Sequence, residues 1–460
     1  MPKTGKRIVK ILGWIALSLV IIVIAVATVI WIKAPSYLRT SAQEFVSKES
    51  GGLYKVSFES VKISLIPFSL GVRELSFTPD ENMAQQARQE SPGTIIYSFH
   101  SPEITFININ PGKLFRKKIF ECEKLLIVSP DLKLSGEKIM QNDTLKNMQN
   151  VFHELQPVFK NYFHAIRIRK IEFENAQYGL LQSVNDSVKI SQANNISVEV
   201  LNFRTDSSLI YKGKQLFKTD EVLIQINDFH YIMGDSLHRL TIDTLVYSLK
   251  TADVRAAGFR MQALQVNQDK NMYQVVVPHF YMKSKSITNF NFSDSLEIEF
   301  LEFHQPKIKF YQKENPRRLK IEDLDQFDLF TLVQNDFSKI QIDTFFLTGA
   351  EMEIYRQPEK QKYQHRFASV NITLHDFLLD SSSARNTDKL LHAGDLEMTV
   401  SDYHLRLEDN QHEFRADSLF VSTVNQILGA KMVRVFPANP SGIDSRTVVN
   451  ITGQAIEFEN

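Results

Sequence analysis

At 460 residues the chain has room for several domains and a large buried core, so length excludes little. Lysine plus arginine number 53 and aspartate plus glutamate 53, interspersed along the chain, which excludes the basic footprint of a nucleic-acid binder. Cys122 is the only cysteine, which excludes an internal disulfide and a thiolate metal cluster and leaves stability to packing and sheet hydrogen bonds.

The first element is apolar. Residues 11–32, ILGWIALSLVIIVIAVATVIWI, carry no charge, and at about 1.5 Å of rise per residue they span a hydrocarbon layer of roughly 30 Å. Lys3, Lys6, Arg7 and Lys10 precede them, and Trp14 and Trp31 stand near the two ends, where aromatic rings favour the interface. The positive-inside rule puts this N-terminus in the cytoplasm. A cleavable signal peptide is the alternative, but its apolar stretch is shorter, about 7 to 15 residues. Pro35 stops the helix, and Tyr37 to Val46 can form a short amphipathic helix beyond it. No later apolar run approaches this length, so the rest of the chain is expected on one side of the membrane, the periplasm in a bacterium.

The body reads as short strands with one apolar face, separated by Asp, Asn, Ser and Gly turns. Period-two alternation appears at Val56 and Phe58, at Val61, Ile63 and Leu65, at Ile166 and Ile168, and at Val222, Ile224 and Ile226. It returns at Leu296, Ile298 and Phe300, at Ile340 and Ile342, and at Leu396, Met398 and Val400. The chain also repeats itself. Ile166, Ile168, Ala176 and Phe203 match Ile340, Ile342, Ala350 and Phe377 at an offset of 174, and Asp228, His230, His238 and Asp243 match Asp402, His404, His412 and Asp417. Upstream, Pro102 pairs with Pro278 and Pro130 with Pro306, both at 176. The expected layout is a basic tail at 1–10, an anchor at 11–32 and an N-terminal helix with a β-hairpin at 33–96. Repeat units follow at 97–270 and 271–446, and a further strand or unit begins at 447–460.

Each unit is expected to hold one helix before its IleXxxIle strand. Leu145, Met148, Phe152, Leu155, Phe159 and Tyr162 make one apolar face, interrupted near Pro157; Leu324, Phe327, Leu329, Phe330, Val333 and Phe337 are the counterpart. Both read as packing elements.

Catalytic signatures do not emerge. His153 and Glu154 lack the second histidine of a zinc-protease helix, and neither a Gly-rich phosphate loop nor a GxSxG elbow occurs. Histidines repeated at one register point to a structural role, since a single catalytic site needs no copy. The chain is read as a non-enzyme without cofactor or metal.

The opening KRIVKILGWIALSLVIIVIAVATVIWI, followed by SYLRTSAQEFVSKESGGLYKVSFESVKISLIPFSLGVRELSFTPD, resembles the AsmA-like family of bacterial envelope proteins, of the AsmA, TamB and YhdP types. The strand, proline and strand arrangement of KLLIVSPDLKL at 124–134 and LEFHQPKIKF at 301–310 is similar to the family's repeating pair, as are IRIRKIEFENAQYGL at 166–180 and IQIDTFFLTGAEMEIY at 340–355.

The resemblance implies a mainly β fold: a transmembrane helix, then an elongated, curled antiparallel sheet forming a β-groove with a few short amphipathic helices. It implies an inner-membrane protein with its body in the periplasm, binding phospholipid or another acyl lipid and aiding lipid transport or outer-membrane biogenesis. Candidate lining residues are Ile166, Ile168, Val198, Val200, Ile224, Ile226, Ile340, Ile342, Ile372, Leu374, Met398 and Val400, and Trp14, Trp31, Lys6, Arg7 and Lys10 would seat the anchor. About 25 strands at ~4.8 Å would extend roughly 120 Å. A self-packed sandwich or solenoid would hide the same apolar face without a ligand. The functional alternative is an anchored scaffold that holds an outer-membrane or secretion protein through an exposed strand edge.

Overall fold

The computed structural model describes residues 43–44, 46–48, 50–90, 94, 96–137, 163–184, 187–206, 217–233, 237–265, 271–284, 295–312, 337–355, 365–382, 392–407, 411–437 and 451–459. The expected anchor at 11–32, the helical face from Leu145 to Tyr162 and the stretch from Leu324 to Val333 lie outside them; Phe337 is described and is not helical. Among the described residues no helix is long and apolar enough to cross a membrane.

All twenty described strands belong to one sheet. At its start β1 (Tyr54–Ser57) and β2 (Ser60–Leu65) lie end to end along β3 (Phe68–Pro79). β4 (Ile96–Ile109) pairs on its far side with β5 (Ile119–Val128) and β6 (Asp131–Glu137), again end to end, and these adjoin β7 (Ala165–Val184). Then follow β8 (Ser187–Asp206), β9 (Glu221–Ile232), β10 (His238–Ser248), β11 (Asp253–Ala263) and β12 (Met272–Lys283), each antiparallel to its predecessor. β12 adjoins the end-to-end pair β13 (Ser295–His304) and β14 (Lys307–Tyr311), which adjoins β15 (Lys339–Tyr355). The last are β16 (His365–Asp380), β17 (Asp395–Arg406), β18 (His412–Ser422), β19 (Ile427–Pro437) and β20 (Ile451–Glu459). Because three ladder positions are each shared by two strands, the sheet has seventeen positions, roughly 80 Å from first to last at ~4.8 Å spacing. That is shorter than the 120 Å expected.

The sheet is mixed, not antiparallel throughout as expected. β7 runs parallel to β5 and β6, and β15 parallel to β13 and β14. The connections involved, 138–164 and 312–338, exceed the dozen or so residues that a parallel crossover needs, whereas the connections from β9 to β12, 233–237, 249–252 and 264–271, are short. Proline explains two of the three end-to-end pairs, β5 with β6 and β13 with β14. Pro130 and Pro306 cannot donate to a ladder, and Ser129 and Gln305 before them take φ of 42° and 46°, so the strand breaks and resumes. Buried Ser101 fills the first break, its hydroxyl 2.9 Å from the Val128 carbonyl oxygen.

Strand bounds carry the numerical offset seen in the sequence. β9, β10 and β11 begin at 221, 238 and 253, and β17, β18 and β19 begin at 395, 412 and 427, each 174 later. Left-handed residues recur at the same interval: Asn202 and Asp376, Asp228 and Asp402, Ala252 and Gln426, Gly258 and Met432 all have φ between 51° and 68°. Asn, Asp and Gly tolerate this region at low steric cost. Those inside strands turn the strand locally and shift which side chains face the core, whereas Ala252 and Gln426 close the turns before β11 and β19.

The largest described core cluster lies under β1 to β8, where Val56, Leu75, Ile104, Ile127, Leu134 and Ile168 are buried together and Tyr54 stacks against both Phe77 and Tyr97 at 4.6 Å from each. Desolvation there pushes the Tyr54 phenol up to about 12. Helix α1 (Glu81–Glu90) starts where Asp80 Oδ1 accepts from the Asn82 and Met83 amides. Helix α2 (Pro111–Lys117) is capped by Asn110, whose side chain accepts from the Lys113 amide, and ends on left-handed Lys118.

Candidate functional site

Paired residues in a sheet share a face, so the register traces lines of side chains across the strands. From β8 to β20 one such line reads Ile196, Ile226, Leu245, Ala256, Phe280, Phe303, Leu347, Ile372, Met398, Val421, Leu428 and Phe458. Every member is apolar. The neighbouring line from β8 to β17, Val198, Ile224, Tyr247, Val254, Met282, Leu301, Phe345, Leu374 and Leu396, is apolar as well. Together they form a continuous stripe at right angles to the strands. Over β8 to β13 most of its members, Ile196, Ile226, Leu245, Phe280 and Phe303 among them, are only half-buried, unlike the closed core under β1 to β8.

The twelve residues expected to line a groove fall on this face in three settings. Ile166 and Ile168 are buried in the first core, with Val200 against it. Val198, Ile224 and Ile226 lie in the half-buried stripe. Ile340, Ile342, Ile372, Leu374 and Met398 pack in one cluster around buried Ile298 and Leu396, and Val400 joins Leu347, Ala350 and Val370 in the next. Leu245, Ala256, Phe280 and Phe303 complete the stripe and were not singled out in sequence; Phe280 and Met282 do alternate in β12, but behind the unbroken run Val275, Val276 and Val277. At the other extreme Ile63 and Leu65, expected on the apolar face, are exposed, because among the described residues β2 lies at the sheet margin and pairs with β3 alone.

The opposite face is predominantly polar. Between the two apolar lines the register runs through Ser197, Gln225, Arg255, Glu302, Thr373, Glu397 and Ser422, with Val246, Tyr281 and Phe346 interspersed. Ion pairs stitch strands together there: Lys170 Nζ lies 2.9 Å from Glu199 and 3.2 Å from Glu172, which also meets Lys124 at 2.8 Å. Lys124, then Lys170, hold the Glu172 carboxyl below its ordinary value. Arg260 grips Asp243 with two hydrogen bonds of 2.7 Å, and Arg434 grips Asp417 at the same place one repeat on.

The repeated histidines are strand fixtures. His230 and His404 each bond Asp228 and Asp402, the left-handed residues two positions before them, at 2.7 and 2.8 Å. His238 is fully buried, and its Nε2 accepts from the Tyr273 amide at 3.0 Å. Among the described residues no three His, Cys, Asp or Glu side chains gather as a metal site. Cys122 is buried, and desolvation, aided by Glu121, pushes its thiol up to about 12.

No family model matches the chain, and no curated protein does. Among solved structures it has a likeness to the sex pheromone precursor of Lactobacillus salivarius subsp. salivarius UCC118, with 8% identity over 63% of this chain and 67% of that one at a TM-score of 0.11. A second likeness, to the central domain of yeast acetyl-CoA carboxylase, has 7% identity over 85% of this chain and 53% of that one at a TM-score of 0.10. Neither likeness carries an argument about fold or function.

Proposed function

We propose that this chain is a membrane-anchored bacterial envelope protein that binds lipid acyl chains along the apolar stripe of its sheet and aids phospholipid movement between membranes. The observation that carries the reading is the unbroken apolar line from Ile196 to Phe458, on a sheet with no second described sheet packed against it. An apolar face must be hidden by protein or by a ligand, and burial contributes about 25 cal/mol per Å² whichever covers it. A stripe of similar side chains at each ladder position from β8 onward keeps the energy of an acyl chain nearly level along the path. The basic N-terminal tail and the apolar stretch at 11–32 would hold the chain at the inner membrane, with the body in the periplasm, in keeping with the resemblance to the AsmA-like family.

Native mass spectrometry of the full chain, purified from membranes in mild detergent, tests the reading. Phospholipid should co-purify and be lost when half-buried Ile226 or Met398 becomes Asp; these are better sites than Ile168 or Ile342, whose burial would confound binding with folding. A lipid-free chain that retains a protein partner would favour the second reading, an anchored assembly scaffold. That reading draws on β20, which among the described residues pairs with β19 alone and exposes Ile451, Ile456 and Phe458.

A further inference from the structure

The turn between β2 and β3 is apolar and open to solvent. Leu65 is 78% exposed and Ile66 93%, with Ile63 half-exposed behind them. Helix α2 sits at the same end of the sheet: β4 leads into it, and the Asn108 amide just before it donates to Ser69 Oγ just after the turn at 3.2 Å. α2 adds exposed Phe115 and, in its last turn and cap, exposed Arg116, Lys117 and Lys118, while Lys62 is exposed on β2. The nearby carboxylates are engaged elsewhere. Glu121 holds Lys113 at 2.6 Å, and Glu123 accepts from Asn108 Nδ2 at 3.0 Å and pairs with Arg169.

Aliphatic tips with four cations at the same end of the sheet are the composition that seats a surface in the headgroup layer of an anionic bilayer: the apolar groups enter the acyl boundary and the cations meet lipid phosphates. The sheet offers its own comparison. β2 and β3 correspond to β10 and β11 at an offset of 184, since Glu74 and Gly258 share the left-handed position and the turn at 65–68 falls on 249–252. There the tip is Lys250 and Thr251, and one repeat on it is Val424 and Asn425. Of the three turns only the first pairs two exposed large aliphatics with a basic helix.

We propose that the β2–β3 turn and α2 form a docking surface for an anionic bilayer, so that the first edge of the sheet lies on the membrane. The inference rests on the membrane-anchored reading but not on the groove: it stands if lipid never enters the stripe.

The test is an environment-sensitive fluorophore attached to Ile66→Cys in the full chain, with Val424→Cys as the matched control, reconstituted in phosphatidylcholine vesicles with and without phosphatidylglycerol. Buried Cys122 should stay unlabelled. The probe at 66 should shift to the blue and become shielded from aqueous quencher in the anionic vesicles, while the probe at 424 stays in water. Neutralising Arg116, Lys117 or Lys118 to Gln should lower the ratio of inserted to aqueous probe about fivefold per charge at low salt. A probe at 66 as open to quencher as that at 424 overturns the docking surface whether or not the chain floats with the vesicles. Failure to float would overturn the anchored reading too. Shielding that ignores lipid charge, salt and all three neutralisations also overturns it.

Discussion

Ile226→Asp is the sharpest perturbation of the stripe. Ile226 is half-buried in β9, with Ile196 and Leu245 as its cross-strand partners on the apolar face. An acyl chain crossing this strand would lay about three methylenes against it, and at ~0.8 kcal/mol per buried methylene the lost contact alone is worth roughly 2.4 kcal/mol. The carboxylate adds a desolvation cost on top. Since 1.4 kcal/mol is a factor of ten, lipid occupancy should fall at least about fiftyfold. The control is next door: Gln225 is exposed on the opposite face, paired with Ser197 and Val246, so Gln225→Asp adds the same charge to the same strand without touching the stripe. Lipid retained per chain is read by native mass spectrometry, with thermal melting to show that both variants are folded. Equal retention in the two folded variants, or equal loss, would refute the reasoning.

Gly429 faces Phe420 across β18 and β19, and a Cβ there would overlap the Phe420 ring, so Gly429→Val should cost about 1–3 kcal/mol by forcing the ring aside. An unchanged urea midpoint would contradict that packing. Cys122, with its thiol held near 12, should resist maleimide at neutral pH in the native chain and react on unfolding; fast native labelling would contradict its burial. Glu172 under Lys124 and Lys170, and Asp243 under Arg260, have carboxyls held below their ordinary 4.5 and 3.8. Groups depressed in the folded state add stability above those values and lose it as the pH falls below them. The urea midpoint should therefore be level above pH 4.5 and decline on further acidification, and a midpoint that rises there would reverse the sign of the argument.

Strand content and the 174-residue interval were legible because both are periodicities of residue type, and the sheet keeps them. Direction was not. A strand alternates in the same way whether its neighbour is parallel or antiparallel, so nothing in the alternation of β5 or β7 announced their parallel pairing. Alternation also misleads at bends. In β7 the inward sequence runs Ile166, Ile168, Ile171 and Phe173, skipping a step opposite left-handed Asn202, and no side-chain pattern marks that step in advance. The short helices carry their start signals in the sequence: Asp80 before α1, and the Asn110–Pro111 start of α2. Among the candidate lining residues, alternation puts Val198, Ile224 and Ile226 on one face with Ile166 and Ile168; in the structure the first three are half-buried and the last two lie in a closed core, because how far a face is covered depends on neighbours distant in the chain.

The central claim, that the stripe carries acyl chains, is tested most directly by site-specific photocrosslinking in cells. A photoreactive side chain would be placed at Ile226, Ile372 and Met398 on the stripe, and at Gln225, Asn371 and Thr399 on the opposite face of the same strands. The account predicts adducts of phospholipid mass at the first three positions and none at the second three. Lipid adducts on both faces alike, or stripe positions that crosslink only to protein, would contradict it.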